Sequence, residues 1–303
     1  MKEVLAALQP FAPQRRTVAR RSLLWRALRH EAEVITFERD GVRWCGPVRS
    51  AITQALFTAG DYQHAAMAPL FAWLARHRPA WHERWHIVNV GANIGDTCIA
   101  LALRTGKQVL ACEPVPELHD LLRRNVAANG LADQIHAVRM AIAMTIGEAE
   151  IICPREPEYA EMRGAQGLQG FPHKADECQS FMVPTITLDG LLARKDVLPS
   201  EVALAWSDTQ GFESEVIGSG ANLWRTGVPL WVEVWPRGLA AHGGVDHFLA
   251  QCRRHFRSFV SEDQLLTHGA ASAAQDIAAL EPLVRSLRGR AFTDVLLIPE
   301  NQA

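Results

Sequence analysis

The stretch IVNVGANIGDT, residues 87–97, decides the fold. His86 to Val90 is a short, mostly apolar run of the kind that forms a strand buried on both faces. Gly91 and Gly95 then turn the chain, and the segment from Ile94 to Arg104 has helical character up to a stop at Gly106. A buried strand that passes through a glycine turn into a helix aims free backbone N–H groups at a ligand. In the dinucleotide fingerprint, G-x-G-x-x-G, the second glycine lets the backbone approach a pyrophosphate. Here Asn93 stands between the glycines, so the spacing favours a ligand that lacks phosphates and offers polar edges; a tight turn with no ligand is the bland reading.

Downstream the same grammar repeats. Gln108–Cys112 reads as a second strand and ends in Glu113, 22 residues beyond Gly91, where nucleoside-binding sheets hold a ribose diol. A solvated strand-end carboxylate is the alternative. Pro116 to Asn129 is a helix with Leu118, Leu121, Leu122 and Val126 on one face, Pro at its start and Gly130 past its end. His136–Met140 is a third strand and Val202–Trp206 a fourth, after a helix capped at Thr187/Asp189. Leu230–Trp235 is a fifth. A helix marked by Val245, Phe248, Leu249, Cys252 and Phe256 precedes strand candidates Ser258–Val260 and Val295–Ile298. Strands alternating with helices predict an α/β fold around a largely parallel sheet. Between the third and fourth strands, residues 154–180 lack a period, and loops of that length are usually lids or disordered. A lid carrying Arg155, Tyr159, Arg163, His173 and Lys174 is expected to cover a polar acceptor.

Upstream, residues 1–80 read as a helix and hairpin cap, and residues 81–303 as the ligand-binding domain. Arg15, Arg16, Arg20, Arg21, Arg26 and Arg29 surround Leu23, Leu24, Trp25 and Leu28, which suits a basic amphipathic helix. Such a helix touches a membrane or an acidic partner, or packs its apolar side on the domain, and the overall charge favours packing. Asp40-Gly41 within VITFERDGVRWCG signals a hairpin, and 48–78 is helical in character up to Pro79. With 31 Lys+Arg against 33 Asp+Glu in 303 residues, the formal charge is −2, which argues against a nucleic-acid partner. No run of eighteen apolar residues occurs and the first residues, MKEVLAALQPFAPQRR, lack a signal h-region, so a cytoplasmic protein without stable membrane insertion is expected. The 6 cysteines form no C-x-x-C pair, and the 9 tryptophans are compatible with a homodimer interface.

Candidate chemistry gathers after the later strands. ALAWSDTQGFE, residues 203–213, sets Asp208, Gln210 and Glu213 past the carboxyl edge, where open α/β sheets bind ligands. Ordinary turn chemistry of Asp-x-x-Gly is the functionless alternative. Glu233 lies among apolar neighbours in LWVEVWP and needs a partner or a raised pKa if buried. His242 and His247 follow in a glycine-rich stretch. His82-Glu83-Arg84-Trp85-His86 fits H-E-x-x-H, but a zinc site needs one continuous helix, and a strand from residue 87 forbids it. Gly106-Lys107 lacks the rest of a phosphate loop.

Together VNVGANIGDT, the strand-end CEP, NVAANG, VPTITLDGLL, DTQGFE and TDVLLIP resemble the FkbM-type family of S-adenosylmethionine-dependent methyltransferases over most of the chain. FERDGVRWCG through TAGDYQ resembles the family's lead-in. The resemblance implies a Rossmann-like seven-stranded class I methyltransferase sheet in the order 3-2-1-4-5-7-6, with the last strand antiparallel. It implies O-methylation of a hydroxyl on a small molecule, sugar or natural-product scaffold, with S-adenosylhomocysteine as product. Gly91, Ala92, Asn93 and Gly95, with Asn89 and Thr97, would wrap the methionine end of the cofactor. Glu113, next to Pro114, would take the ribose hydroxyls, and Met140 and Ala141 would flank the adenine. Asp208 would sit near the sulfonium and the acceptor, with Glu213 close by. The family usually has Asp where this chain has Asn89, and Lys where it has Trp206. In-line methyl transfer needs an aligned acceptor and a proton acceptor, for which Asp208 leads, supported by Glu213 or Glu233, with His242 next. Asp208 and Glu213 are also the carboxylates suited to magnesium, and no dedicated ligand set accompanies them. The rivals are an NAD(P)-dependent oxidoreductase and a family member that binds cofactor without catalysis.

Overall fold

The computed structural model describes residues 13–62, 64–154, 161–162, 178–289 and 291–300. It begins with helix α1 (Pro13–Glu31) and the antiparallel hairpin β1 (Val34–Arg39) and β2 (Val42–Pro47). Asp40 and Gly41 both have positive φ, 52° and 80°, so the turn follows the right-handed twist of the strands, and Asp-Gly tolerates that geometry. The helical stretch expected over 48–78 is two helices, α2 (Ala51–Thr58) and α3 (Met67–His77). Ser50 caps the first through a bond from the Thr53 N–H, and Gly60 at φ 90° takes the chain out of it. On α1, Trp25 and Leu28 pack against Val48 and Phe57, and the Arg21 guanidinium lies over the Phe57 ring. Leu23 and Leu24, which the pattern groups with that apolar side, are exposed.

Helix α4 (Ala80–Glu83) ends before β3 (His86–Val90), so His82 and His86 share no helix and the H-E-x-x-H spacing has no metal-binding geometry. The chain continues through α5 (Asp96–Thr105), β4 (Gln108–Cys112), α6 (Pro116–Ala128) and β5 (Ile135–Val138). The third strand is therefore shorter than expected. Ala141 already belongs to β6 (Ala141–Ile142), which joins β7 (Gly147–Pro154), β8 (Glu161–Met162) and β9 (Cys178–Ile186) in a separate four-stranded sheet. Strands β7 and β9 pair from Gly147↔Thr185 to Pro154↔Cys178. They lead into and out of the insertion, whose Arg155, Tyr159, Arg163, His173 and Lys174 lie outside the described residues.

Next come α7 (Leu188–Arg194), capped by Thr187, β10 (Val202–Ser207), α8 (Glu213–Ser219), α9 (Ala221–Arg225), β11 (Leu230–Val234) and α10 (Pro236–Leu239). Then α11 (Gly244–His255), β12 (Ser258–Ser261), α12 (Glu262–His268), β13 (Gln275–Asp276), α13 (Leu280–Ser286) and β14 (Thr293–Ile298) complete the fold. The central sheet runs β13-β12-β14-β11-β10-β3-β4-β5. Strands β5, β4, β3, β10 and β11 are parallel, and β14 is antiparallel to both of its neighbours. The sheet has eight strands rather than seven, because two exposed residues of β13 extend the edge at β12.

Both faces of the sheet are covered. Val88, Leu110, Ala205 and Val232 pack with Leu191, Ile217, Phe248 and Val284 from helices on one face. On the other, Ile87, Ala111, Leu204 and Trp231 share one core with Trp44, Ile52, Leu56, Met67, Leu70 and Trp73 of the N-terminal cap. Each such buried side chain contributes about 1.5–3 kcal/mol, so the cap is bound into the core of the sheet. Polar groups fix its register. Asn125 Oδ1 accepts from the Cys45 N–H at 2.6 Å, and Asn125 Nδ2 donates to the carbonyls of Cys45 and Ile94. One turn on, Asn129 bonds both backbone groups of Arg43. Two amides at helical spacing thus serve as the strand that the edge of β2 lacks. Among the described residues no helix is long and apolar enough to cross a membrane.

Candidate active site at the carboxyl edge of the sheet

The glycine turn after β3 is folded onto two neighbouring loops. The N–H groups of Gly91 and Ala92 donate to the Cys112 carbonyl at 3.0 and 2.9 Å, and the Asp208 N–H donates to Val90 O at 3.1 Å. Gly91 has φ 80°, and a Cβ there would lie 1.8 Å from the carbonyl oxygen of Asp208, so no side chain is tolerated. Asn93 holds φ 49°, with its Oδ1 accepting from the Ile94 N–H, which stabilises a left-handed residue inside the turn.

Glu113 is buried at the end of β4 and accepts from the N–H groups of Asn93 (2.8 Å) and Val115 (2.9 Å), one on each oxygen. Each carboxylate oxygen keeps a second lone pair, which suits a vicinal diol. Burial pushes its carboxyl up to about 7, against the two N–H donors that favour the charged form. Pro114 and Thr97 are partly exposed beside it. Met140 also lies at this edge, with the Arg194 guanidinium on its sulfur, while Ala141 is buried in the second sheet and pairs with Thr185.

Around DTQG the backbone is equally crowded. Gln210 has φ 55°, and at Gly211, φ 110°, a Cβ would meet the backbone of Gly238 at 2.3 Å. The turn after β10 therefore packs directly on the turn after β11. Gln210 Nε2 bridges Asp208 Oδ1 at 2.7 Å and Glu233 Oε2 at 3.2 Å, which draws those two carboxyl groups together. Burial raises both, and for Glu233 the charges of Asp208, Asp294 and Glu213 raise it further. Glu213 faces its own turn: Oε1 accepts from the Thr209 N–H and hydroxyl and from the Gly211 N–H, and burial pushes it up to about 7. It shapes the loop that presents Asp208. His242 packs edge-on against Phe212, ring centroids 4.8 Å apart, and burial lowers its pKa to about 4, so its ring is neutral at physiological pH. Among the described residues no cluster of His, Cys, Asp and Glu has metal-binding geometry, which covers Asp208 and Glu213.

Asn89 is fully buried, and neither atom of its amide has a hydrogen-bond partner. Its register partner across β3 and β10 is Trp206, whose ring stands 5.4 Å from that of Trp231. Asn89 and Trp206 are thus neighbours, a neutral pair across the register of β3 and β10. A second group escaped the sequence reading. His64, paired with Asp61 in the connection between α2 and α3, reaches Asp96 at the first position of α5. The spacing of Asp and His in DYQH was the available signal, but only the fold brings it to the glycine turn.

Residues 89–256, more than half of the chain, match the family profile described as the Methyltransferase FkbM domain. The chain belongs to the FkbM methyltransferase family. The family's methyl donor is S-adenosylmethionine, and the orphaned Asn89 amide, the Glu113 oxygens and the side-chain-free Gly91 cradle fit it. No curated protein sequence matches this methyltransferase. Among solved structures it is similar to P. horikoshii TYW2 in complex with MeSAdo, at 12% identity, with 88% of this chain and 70% of that chain covered and a TM-score of 0.42. It is also similar to the StiE O-MT, residues 942–1257 (11%, 92% and 89%, 0.41). A third is the geranyl diphosphate C-methyltransferase from Streptomyces coelicolor A3(2) (10%, 82% and 83%, 0.40).

Proposed function

We propose that this methyltransferase acts on oxygen, transferring a methyl group to a hydroxyl of a small molecule, sugar or natural-product scaffold. The supporting observation is the pair of carboxyl groups, Asp208 and Glu233, bridged by Gln210 at the carboxyl edge of adjacent strands. When bound, S-adenosylmethionine supplies an electrophilic methyl on a sulfonium. The protein's part is to orient the acceptor and to take its proton. Asp208 lies at the partly exposed rim, where an acceptor hydroxyl can approach, and Glu233 lies behind it, buried. Burial raises both carboxyl groups, and Asp208 raises Glu233 further while the bond from Glu233 lowers Asp208, so Asp208 is the member of the pair that favours the charged form and can receive the proton. Gln210 keeps Asp208 pointed, Glu213 keeps the DTQG turn shaped, and neutral His242 packs edge-on against Phe212. Glu113 holds the ribose, and the glycine turn, whose N–H groups from Gly91 to Gly95 are bonded within the fold, lies against the methionine end. Membership of a methyltransferase family leaves the nicotinamide alternative without support.

The test is a screen of hydroxylated small molecules and glycans with methyl-labelled S-adenosylmethionine, followed by Asp208→Asn on the best acceptor. An ether product is expected, with turnover lowered by about 10²–10⁴-fold in the variant and cofactor affinity retained. A carbon- or nitrogen-methylated product, or unchanged turnover and pH dependence in Asp208→Asn, would overturn the reading.

A further inference from the structure

Three ionisable side chains meet where the N-terminal cap touches the glycine turn. His64 Nδ1 lies 2.9 Å from Asp61 Oδ1, and His64 Nε2 lies 3.8 Å from Asp96 Oδ2. The ring is 5% exposed, yet Nε2 has no hydrogen-bond partner and is aimed at Asp96. Asp96 is 4% exposed and sits at the N-terminus of α5, with the Thr97 hydroxyl 3.4 Å away. Asp208 faces it from the end of β10. Among the described residues no Lys or Arg pairs with either carboxylate; Asp96 is met by the His64 ring and by the backbone N–H groups of Asp96 and Thr97, so this corner holds no permanent positive charge. Buried carboxylates in that condition are costly unless a cation arrives.

The methyl donor carries such a cation, an α-ammonium group on its methionine end. Asn89, the polar side chain of β3 beneath the turn, brings no charge to it. Asp208 is held by Gln210 and drawn toward Glu233. Resting on the methyltransferase reading, we infer that Asp96, held by the Asp61–His64 pair of the cap, is the carboxylate that receives the α-ammonium group of S-adenosylmethionine. His64 is then a positioning residue: Asp61 fixes its ring, and the ring, 3.8 Å from the Asp96 carboxylate, favours its charged form. The cap takes part in cofactor binding through these two side chains.

Protonation gives the inference a second reading. Burial, with the charge of Asp208, raises Asp96 to about 6, while His64 lowers it. The ionisable groups that face this corner are His64 and Asp61 from the cap, Asp208 from the fourth strand, Cys98 on the same helix, and Arg104, which acts on Asp61. An ammonium docking on Asp96 favours its ionised form, so binding releases a proton near pH 6.

The experiment is calorimetric titration of the full chain with S-adenosylhomocysteine and with 5′-methylthioadenosine, which lacks the amino-acid end. Wild type, Asp96→Asn and His64→Gln are compared at pH 6 and pH 8, with melting curves for each. Asp96→Asn is expected to weaken S-adenosylhomocysteine by about tenfold or more and to leave methylthioadenosine within about twofold. It should also abolish proton release at pH 6. His64→Gln should weaken only the amino-acid-bearing ligand, by a smaller factor, and shift the pH at which its affinity falls. If His64→Gln unfolds, Asp61→Asn replaces it with the same expectation. Unchanged affinity in Asp96→Asn, or equal losses of both ligands, overturns the inference and leaves the cofactor reading intact. A wild-type chain that binds neither ligand overturns the cofactor reading and the inference with it.

Discussion

At the amino ends of the parallel strands, Lys107 Nζ donates to the carbonyls of Trp81 and Arg84 at 2.7 and 2.6 Å, and lies over the Trp81 ring. Arg84 donates to the carbonyls of Val202 and Thr226. The cations at this end terminate on backbone oxygens. At the carboxyl ends, Glu113, Asp208, Glu213 and Glu233 accept from N–H, hydroxyl or amide groups, and no Lys or Arg among the described residues pairs with them. Burial raises all four. One end of the sheet is closed by cations that donate to backbone oxygens and serves stability. The other keeps uncompensated negative charge and close backbone contacts, which cost stability and suit a ligand with positive charge.

The sharpest way to break this contrast is Gly91→Ala. The new Cβ would collide with the Asp208 carbonyl at a positive φ, so a loss of about 3–5 kcal/mol and of cofactor binding is expected in melting and titration experiments. Lys107→Met tests the opposite end. It leaves two carbonyls without their donor and should cost about 2–3 kcal/mol while S-adenosylhomocysteine affinity stays unchanged.

Varying pH separates the ends without mutation. Asp96, Glu113 and Glu213 are raised to about 6, 7 and 7. Between their unfolded values near 4 and these folded values the native state binds more protons than the unfolded chain. Stability is therefore fully present below about pH 4 and is lost as pH rises through 6 to 7. The ligand-free melting temperature should fall by roughly 5 °C between pH 5 and pH 8, and S-adenosylmethionine should recover most of it. A melting temperature that rises over that interval would show that the carboxyl edge is neutralised after all. The smallest expected effect concerns Asn89 and Trp206. Asn89→Asp alone buries an unpaired charge, and adding Trp206→Lys across the register should return about 1–2 kcal/mol as coupling in a double-mutant cycle.

Much of the glycine-turn end was legible, because each signal there is local. A mostly apolar strand, a positive-φ glycine and a helical period lie within one short window, and Asp40-Gly41 announces its hairpin in two residues. The second sheet was not legible. Strand β7 ends in Pro154 and β9 contains Pro184, which weakens their alternation, and they pair across the whole insertion. Among site residues, Glu113 and Asp208 follow strand ends, Glu233 is the next-to-last residue of its strand, and all three could be placed by counting. Glu213 could be placed but not assigned, since whether its carboxylate faces its own turn depends on Thr209 and Gly211. Asp61 and His64 were invisible as site residues, because their link to Asp96 crosses 32 residues and exists only once the cap has docked.

Asn125 binds the backbone of Cys45 with one arm and that of Ile94 with the other. The family match starts at residue 89, so an excision or chimera cut at that point would leave Asn125 and Asn129 facing empty space and strip Trp44, Met67, Leu70 and Trp73 from the shared core. The unit of inheritance drawn by sequence similarity is smaller than the unit that can fold. Exchange of caps between relatives should succeed only when the hairpin travels together with the helix that grips it.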